Sequence, residues 1–398
     1  MIVRREKKAE PDKSILFERP KAKRPATSFA GKSPNILIGS FGYPQVNVGT
    51  LSAEDFSSQM DNPSSYIDKN IPISDILSFR QSFVNSLSKV KVKELSEKYV
   101  EQTQEIAKSK EAVDTEIELN RPLLRRMEFH EGSLPHGPSA SLKKLTITQH
   151  VSVAKPIERA TSDNDALATT GLFELYDRNI DAYKLSSLLS AGTLGREGNR
   201  KLVPSKWAIT AVDDSLGKRL REEIISYSFF DFGVFTYSYI GNHYIILSLP
   251  GEWSFELIEY TQEGHFYNPG DGACITQDYE FVTGRKNYAK ETAGGYYASR
   301  LSILEFCQRE KKQGRFIVYR IISKEYTIPL GVWTVRETVR KTMESKMIRC
   351  NEKSEALNLV MEKMQSFCED FSSKDKAKEL LAQSVILREE QPSLKRWM

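Results

Sequence analysis

Two runs rich in aromatic and β-branched residues, VFTYSYI and HYIILSL, flank Gly241-Asn242 within residues 234–249. Such a pair of runs around a two-residue connection is a hairpin signal, because glycine and asparagine tolerate the positive φ that a tight, right-twisted turn demands. Further strands are expected at 315–322 (RFIVYRII) and 326–335 (YTIPLGVWTV). Between the hairpin and the first of them, GYYASRLSILEFCQREKKQ reads as a helix, with Tyr297, Leu301, Leu304 and Gln308 at three- and four-residue intervals.

Order is expected to begin at Pro34. Ile36-Leu37-Ile38 suggests a short buried strand running into a loop punctuated by Gly39, Gly42, Pro44 and Gly49. That loop lacks both the Lys-Ser/Thr of a P-loop and the GxGxxG spacing of a dinucleotide fold, which makes it a plain turn on motif grounds. Residues 74–109 (SDILSFRQSFVNSL, then KVKELSEKYVEQTQEIAKSK) have helical spacing. Residues 123–164 read as irregular, since Pro135, Gly137 and Pro138 interrupt SLPHGPSASLKKLTIT. Helix returns over 165–225, where LFELYDRNIDAYKLSSLLSAG suggests a helix–turn–helix-like pair closing at Gly192. The fold class is therefore α+β, mixed helices and antiparallel strands, preceded by a disordered basic arm and followed by a C-terminal peptide motif.

With 398 residues, 39 % of them hydrophobic, the chain can bury a large core in two or three domains. No apolar run reaches the roughly 18 residues of a membrane span, and the charged N-terminus has no apolar stretch behind it. The reading is a cytoplasmic protein with no membrane partner. Cys274, Cys307, Cys350 and Cys368 form no CxxC pair, so neither a zinc site nor a disulfide framework is expected. Residues 1–33 hold ten Lys or Arg against four acids, a balance of +6 in a chain whose net charge is +4, which leaves −2 for the rest. Such an arm attracts phosphate backbones, and it is equally the composition of a solvated terminus.

Three constellations could carry chemistry. In VDTEIEL, 113–119, a strand period of two puts Asp114, Glu116 and Glu118 on one face. Clustered hard oxygen ligands are what Mg²⁺ or Mn²⁺ needs for phosphodiester cleavage, with Asp114 and Glu116 as metal ligands. Plain alternation on a half-exposed strand explains the same pattern. In Asp213-Asp214 the second acid is expected to cap a following helix. Basic groups gather twice: Arg196, Arg200, Lys201 and Lys206 around Gly195 and Gly198, and Arg285, Lys286 and Arg300 with Tyr288 in GRKNYAKETAGGYYASR. Cations beside stacking rings suit a nucleic-acid surface, although a solvated loop and a helix core account for them too. The five scattered histidines give no nucleophilic triad.

The chain finishes in QPSLKRWM, residues 391–398. One 3₁₀ turn would align Gln391, Leu394 and Trp397, with Met398 adjoining, as a polar hook followed by an apolar plug. The spacing resembles the PCNA-interacting-peptide box, with Met398 in place of the usual second aromatic; methionine is adaptable enough to fill such a pocket. Beyond the tail, SPNILIGSFGYPQVNVGTLS, VDTEIEL, HGPSASLKKL, NRKLVPSKWAITAVDD, ETAGGYYASRLSILEF and IPLGVWTVRE together resemble the archaeal Nre family of DNA repair proteins. The resemblance implies an N-terminal region over 34–280, a C-terminal region over 281–388 and a sliding-clamp-binding tail over 389–398. Members often carry a cysteine-rich, zinc-finger-like element near the N-terminus; here no cysteine precedes Cys274. What the resemblance implies is DNA repair at the sliding clamp (PCNA), with DNA as a second partner and no settled reaction. A metal-dependent nuclease and a non-catalytic scaffold bridging the clamp to another protein stand as alternatives.

Overall fold

The computed structural model describes residues 27–123, 127–129 and 134–389. They form two compact units that divide inside one long helix, between Leu216 and Gly217. Helices and largely antiparallel strands alternate through both, an α+β protein.

The first unit holds strands β1 (Ser28–Ile38), β2 (Gln45–Ala53), β3 (Val84–Lys91), β4 (Val113–Leu119) and β5 (Ser139–Ile147). Its helices are α1 (Pro63–Asp68), α2 (Ile73–Gln81), α3 (Lys98–Lys108), α4 (Lys155–Ser162), α5 (Ala168–Tyr176), α6 (Ala182–Ser190) and the start of α7 (Ser205–Ile224). The strands close into a barrel in the order β1-β2-β3-β5-β4. Every neighbouring pair is antiparallel except β3 and β5, where Asn85 pairs with Ser139 in parallel. This connectivity, with α3 bridging β3 to β4, is that of an OB-type Greek-key barrel, and closure leaves no strand edge unpaired. Ile36, Ile38, Val46, Val48, Val90, Val113, Ile117 and Leu145 fill the barrel. Alongside them Ser33 Oγ bonds Ser52 Oγ at 2.6 Å and Thr115 Oγ1 at 2.8 Å, so buried hydroxyls satisfy one another. Helix α3 lays Val100, Ile106 and Ala107 on the barrel, and its Tyr99 hydroxyl donates to Ser86 O at 2.6 Å.

The second unit contains the rest of α7 with strands β6 (Ser228–Phe229), β7 (Gly233–Tyr239), β8 (Asn242–Leu249), β9 (Ser254–Thr261), β10 (Cys274–Glu280), β11 (Lys312–Gln313), β12 (Arg315–Ile322) and β13 (Ile348–Arg349). Its helices are α8 (Ala293–Glu310), α9 (Trp333–Glu344), α10 (Lys353–Phe367), α11 (Lys374–Gln383) and α12 (Val385–Glu389). Six strands make one sheet, β10-β9-β12-β8-β7-β13. Every residue of β9 is buried, as a strand covered on both faces requires. Ile245, Leu247, Ile258, Ile317, Tyr319 and Ile321 pack on Val360 and Met364 of α10, Leu380 of α11 and Ile386 of α12. Helices α8 and α9 pack on each other and on sheet strands as well. Buried charges are matched inside: Arg320 pairs with Glu259 at 2.6 Å and donates twice to Asn242 Oδ1. Glu256 accepts from Ser384 Oγ at 2.6 Å and from the backbone N–H groups of Val385 and Ile386, capping α12; burial nonetheless pushes its carboxyl above the usual range.

Several expectations need correction. Residues 84–91, read as helix, form β3, because Leu87, Lys89 and Lys91 alternate with inward Ser86, Ser88 and Val90 in ladders to β2 and β5. Residues 139–147 and 155–162, read as irregular, are β5 and α4. The stretch 326–335 is no strand: Tyr326 Oη accepts from Leu330 N, Trp333 Nε1 donates to Leu330 O, and α9 opens at Trp333. The hairpin turn sits one residue earlier than read, at Ile240-Gly241, both with positive φ. Asp213 and Asp214 lie within α7, so Asp214 does not stand at a helix start as expected. Order starts before Pro34: Ser28–Ser33, assigned to the arm, pair with β4, while residues 1–26 fall outside the described residues.

Candidate functional site

On the outer face of the barrel a groove of about 220 Å³ crosses β1, β2, β3 and β5. Its floor follows from the strand period: with Ile36, Ile38, Val46 and Val48 turned inward, Leu37, Gly39 and Asn47 point outward. Register sets Asn47 opposite exposed Lys89, Gly49 opposite Leu87 and Leu51 opposite Asn85.

Asn85 is the polar centre of the floor. It is 3 % exposed, and its Nδ2 donates to Ser139 Oγ at 3.3 Å and to His136 Nε2 at 3.4 Å. The imidazole is an acceptor at Nε2 because its Nδ1–H donates to Gly137 O at 2.7 Å. Asn85 Oδ1 has no hydrogen-bond partner among the described residues. Gly49 leaves the space for it, since a Cβ there would stand 1.9 Å from that oxygen. At the same wall Glu128 accepts from Ser139 N at 3.2 Å and Ser139 Oγ at 2.8 Å. The strand-leading segment His136-Gly137 is fixed from behind by Arg80, which donates to Pro135 O at 2.8 Å and pairs with Asp61 at 2.5 Å. Burial raises the Asp61 carboxyl, against the pull of that guanidinium.

The rim is aromatic and cationic. In the β1–β2 turn Phe41 is 90 % exposed and Tyr43 43 % exposed. Trp207, 45 % exposed, lies with its ring centroid 5.3 Å from that of Tyr43. The first turn of α7 is tied to the end of β1 by Ile38 N donating to Ser205 Oγ at 2.9 Å, with Ser190 Oγ 3.0 Å from the same hydroxyl. That tie brings Lys206 to the groove wall, with Trp207 next to it in sequence and against Tyr43. Hydrogen-bonding groups on the floor, flat rings at the edge and one cation can hold a planar, polar, anionic ligand.

A second concavity of about 440 Å³ in the same unit gathers Lys93, Lys108 and Arg200 with Thr161, Thr193 and Glu197. The basic loop expected around Gly195 and Gly198 is thus divided between two places. Arg200 braces it, Nε to Gly195 O at 2.7 Å and Nη2 to Asp163 O at 2.6 Å, and Arg196 Nε reaches Asp165 O at 3.2 Å. Lys201 is exposed, and Lys206 belongs to the groove.

In the second unit Arg285 pairs with Asp278 at 2.9 Å and lies 5.1 Å from the centre of the Tyr296 ring. Lys286 and Tyr288 are exposed. Arg300 is 2 % exposed and 3.2 Å from Glu280 Oε1, so it holds the interior together and has no surface for a nucleic acid.

The three acids of β4 do share its outer face, as alternation requires, but they do not converge. Asp114 pairs with Lys32 at 2.8 Å and Glu118 with Lys143 at 3.1 Å, both in exposed pairs, while Glu116 is exposed. Among the described residues no group of three or more His, Cys, Asp or Glu is placed to hold a metal ion. Asp114, Glu116 and Glu118 thus stand along the solvent face of β4, two of them held by lysines. Gln391, Leu394, Trp397 and Met398 lie outside the described residues, which end one residue before Glu390. Tyr43, Asn47, Asn85 and Trp207 went unnoticed in sequence; the aromatic residues around Gly42 and the adjacent Lys206-Trp207 were the visible signals.

Comparison with known proteins covers almost the whole chain. The profile described as "Archaeal Nre, N-terminal" matches residues 13–268 and "Archaeal Nre, C-terminal" matches residues 280–389. The chain is 34 % identical over 331 residues to "DNA repair protein NreA" of Haloferax volcanii, covering 80 % of this chain and 79 % of the relative. It is 33 % identical over 331 residues to "DNA repair protein NreB" of Archaeoglobus fulgidus, covering 82 % and 83 %. No solved structure matches. Among the described residues no helix is long and apolar enough to cross a membrane. Three of the stretches that carry the resemblance, those around Gly39, Ser139 and Lys206, meet at the groove, and the chain belongs to the archaeal Nre family.

Proposed function

We propose that this protein is a DNA repair factor held at the sliding clamp (PCNA) by residues 391–398, with DNA as its second partner. The observation that supports this most is kinship over four-fifths of the chain with proteins named for DNA repair, in a sequence that also ends in QPSLKRWM. Burying Leu394, Trp397 and Met398 offers about 1.5–3 kcal/mol each, partly offset by ordering the peptide. Micromolar affinity, about −8 kcal/mol, is the expected result. Calorimetry with the cognate clamp tests it: Trp397→Ala removes most of the binding, and deletion of residues 391–398 abolishes it. Equal binding by the full chain and the deleted chain would rule the peptide out.

A further inference from the structure

We propose that the groove on the barrel's outer face binds single-stranded DNA, stacking bases on Tyr43 and Trp207 with a phosphate held by Lys206. The reading of the protein as a DNA repair factor enters only in choosing DNA over RNA; the rest stands on the surface itself.

Topology is the first support. A closed five-stranded barrel of OB connectivity offers nucleic acids the outer face around its second and third strands, bordered by the β1–β2 and β4–β5 connections. The groove lies on that face, and both connections contribute: the first through Gly39 and Ser40, the second through Glu128.

Fold alone assigns no function, so the side chains must carry the argument. Exposed Tyr43 and Trp207 lie against each other on the same two segments that supply Ser40 and Lys206 to the groove, and Phe41, next to Ser40 in sequence, is exposed as well. Aromatic rings left in water beside a cation are the platform on which successive bases of an unpaired strand stack. The floor argues against an apolar protein segment as occupant, since Asn47, Asn85, Glu128 and Ser139 line it and the buried Asn85 Oδ1 has no partner among the described residues. A nucleobase edge presents both donors and acceptors to such a floor. Inside a duplex the Watson–Crick edges are paired and the base faces are stacked on their neighbours, so a site that stacks bases on its own rings takes a single strand. Lys206 at the groove, with Lys89 exposed beside it on β3, supplies charge complementary to the backbone. Glu128, the acid of the groove, already receives two bonds from Ser139 and can accept from a base N–H, the N3–H of thymine included.

Fluorescence anisotropy with a dye-labelled twenty-residue oligothymidylate, in the absence of clamp, tests the proposal on the full chain. The wild type binds, and binding quenches tryptophan emission; Trp207→Phe keeps the affinity and loses most of the quench. The double variant Tyr43→Ala, Trp207→Ala binds about 5- to 100-fold more weakly, the loss expected when stacking is removed. Both side chains are half exposed, so its circular dichroism and melting temperature match the wild type. Lys206→Gln lowers the slope of log K against log salt by about 0.7. Deleting residues 391–398 leaves oligothymidylate binding unchanged, and the double variant still binds the clamp, so failure of this site and failure of the tail are told apart. No binding at low salt, a double variant that binds as tightly as wild type, or preference for a duplex of equal length would overturn the proposal. Tighter binding of oligouridylate would overturn the assignment to DNA.

Discussion

Single atoms decide much of this architecture. Gly49 lies where the side-chain amide of Asn85 crosses β2, and any Cβ there stands 1.9 Å from an amide oxygen. Gly49→Ala must displace Asn85 from Ser139 and His136, at a cost of about 1–3 kcal/mol in a urea unfolding titration. An unchanged midpoint would show that the amide has another place to go. His265 is a second such position. Its Nε2–H donates to Tyr326 O at 2.7 Å and its Nδ1 accepts from Tyr267 N at 3.1 Å, an arrangement that only the neutral ring satisfies. Burial lowers its pKa below 6.5, and Arg320 pushes the same way against the Tyr326 carbonyl. The unfolded chain therefore binds a proton first as pH falls, and stability declines from about pH 6.5 downward. His265→Gln flattens that decline when urea midpoints are compared between pH 7 and pH 5; His243, also lowered by burial, supplies the slope that remains.

Strands and helices were legible where composition and packing agreed. RFIVYRII is β12 to the residue, VDTEIEL is β4, and Gly192 closes α6 with φ of 69°. Strand β3 hid because its inward residues include buried Ser86 and half-buried Ser88, which face the barrel without being hydrophobic. Strand β5, SASLKKLTI, hid because Pro135, Gly137 and Pro138 precede it and a register shift opposite Glu118 and Leu119 breaks its alternation. The groove could not be seen in advance, since it joins residues near 39, 85, 139 and 206 that only register brings together. Helix α12 shows dependence on distant residues in its plainest form, for five residues are too few to hold a helix alone. Its N-terminal amides bond to Glu256 of β9, more than a hundred residues earlier. Glu256→Ala should cost about 1.5–3 kcal/mol. Hydrogen exchange at residues 385–389 should then accelerate well before the sheet opens, and unchanged protection there would show that apolar packing of Ile386 suffices.

Across the molecule the family profiles and the compact units divide the chain differently. The profiles part between residues 268 and 280, whereas the units part inside α7 at Leu216 and Gly217. The N-terminal profile therefore spans the whole barrel unit and the first strands of the sheet unit. That sheet includes β9, whose Glu256 fixes the start of α12. This anchor has a mechanical meaning for the clamp proposal. Gln391 follows Glu389 by two residues, a reach of at most about 7 Å, so on that proposal the link from α12 to the peptide would be a short hitch rather than a leash. The sheet unit would have to ride close against the clamp with few permitted orientations. Inserting ten Gly/Ser residues after Glu389 should leave the peptide's affinity for the clamp intact while widening the spread of distances between the two proteins in double electron–electron resonance. An equally broad spread in the wild type would mean that the hitch is loose. On the clamp proposal the α12 cap would set not how tightly the protein is held but which way it faces.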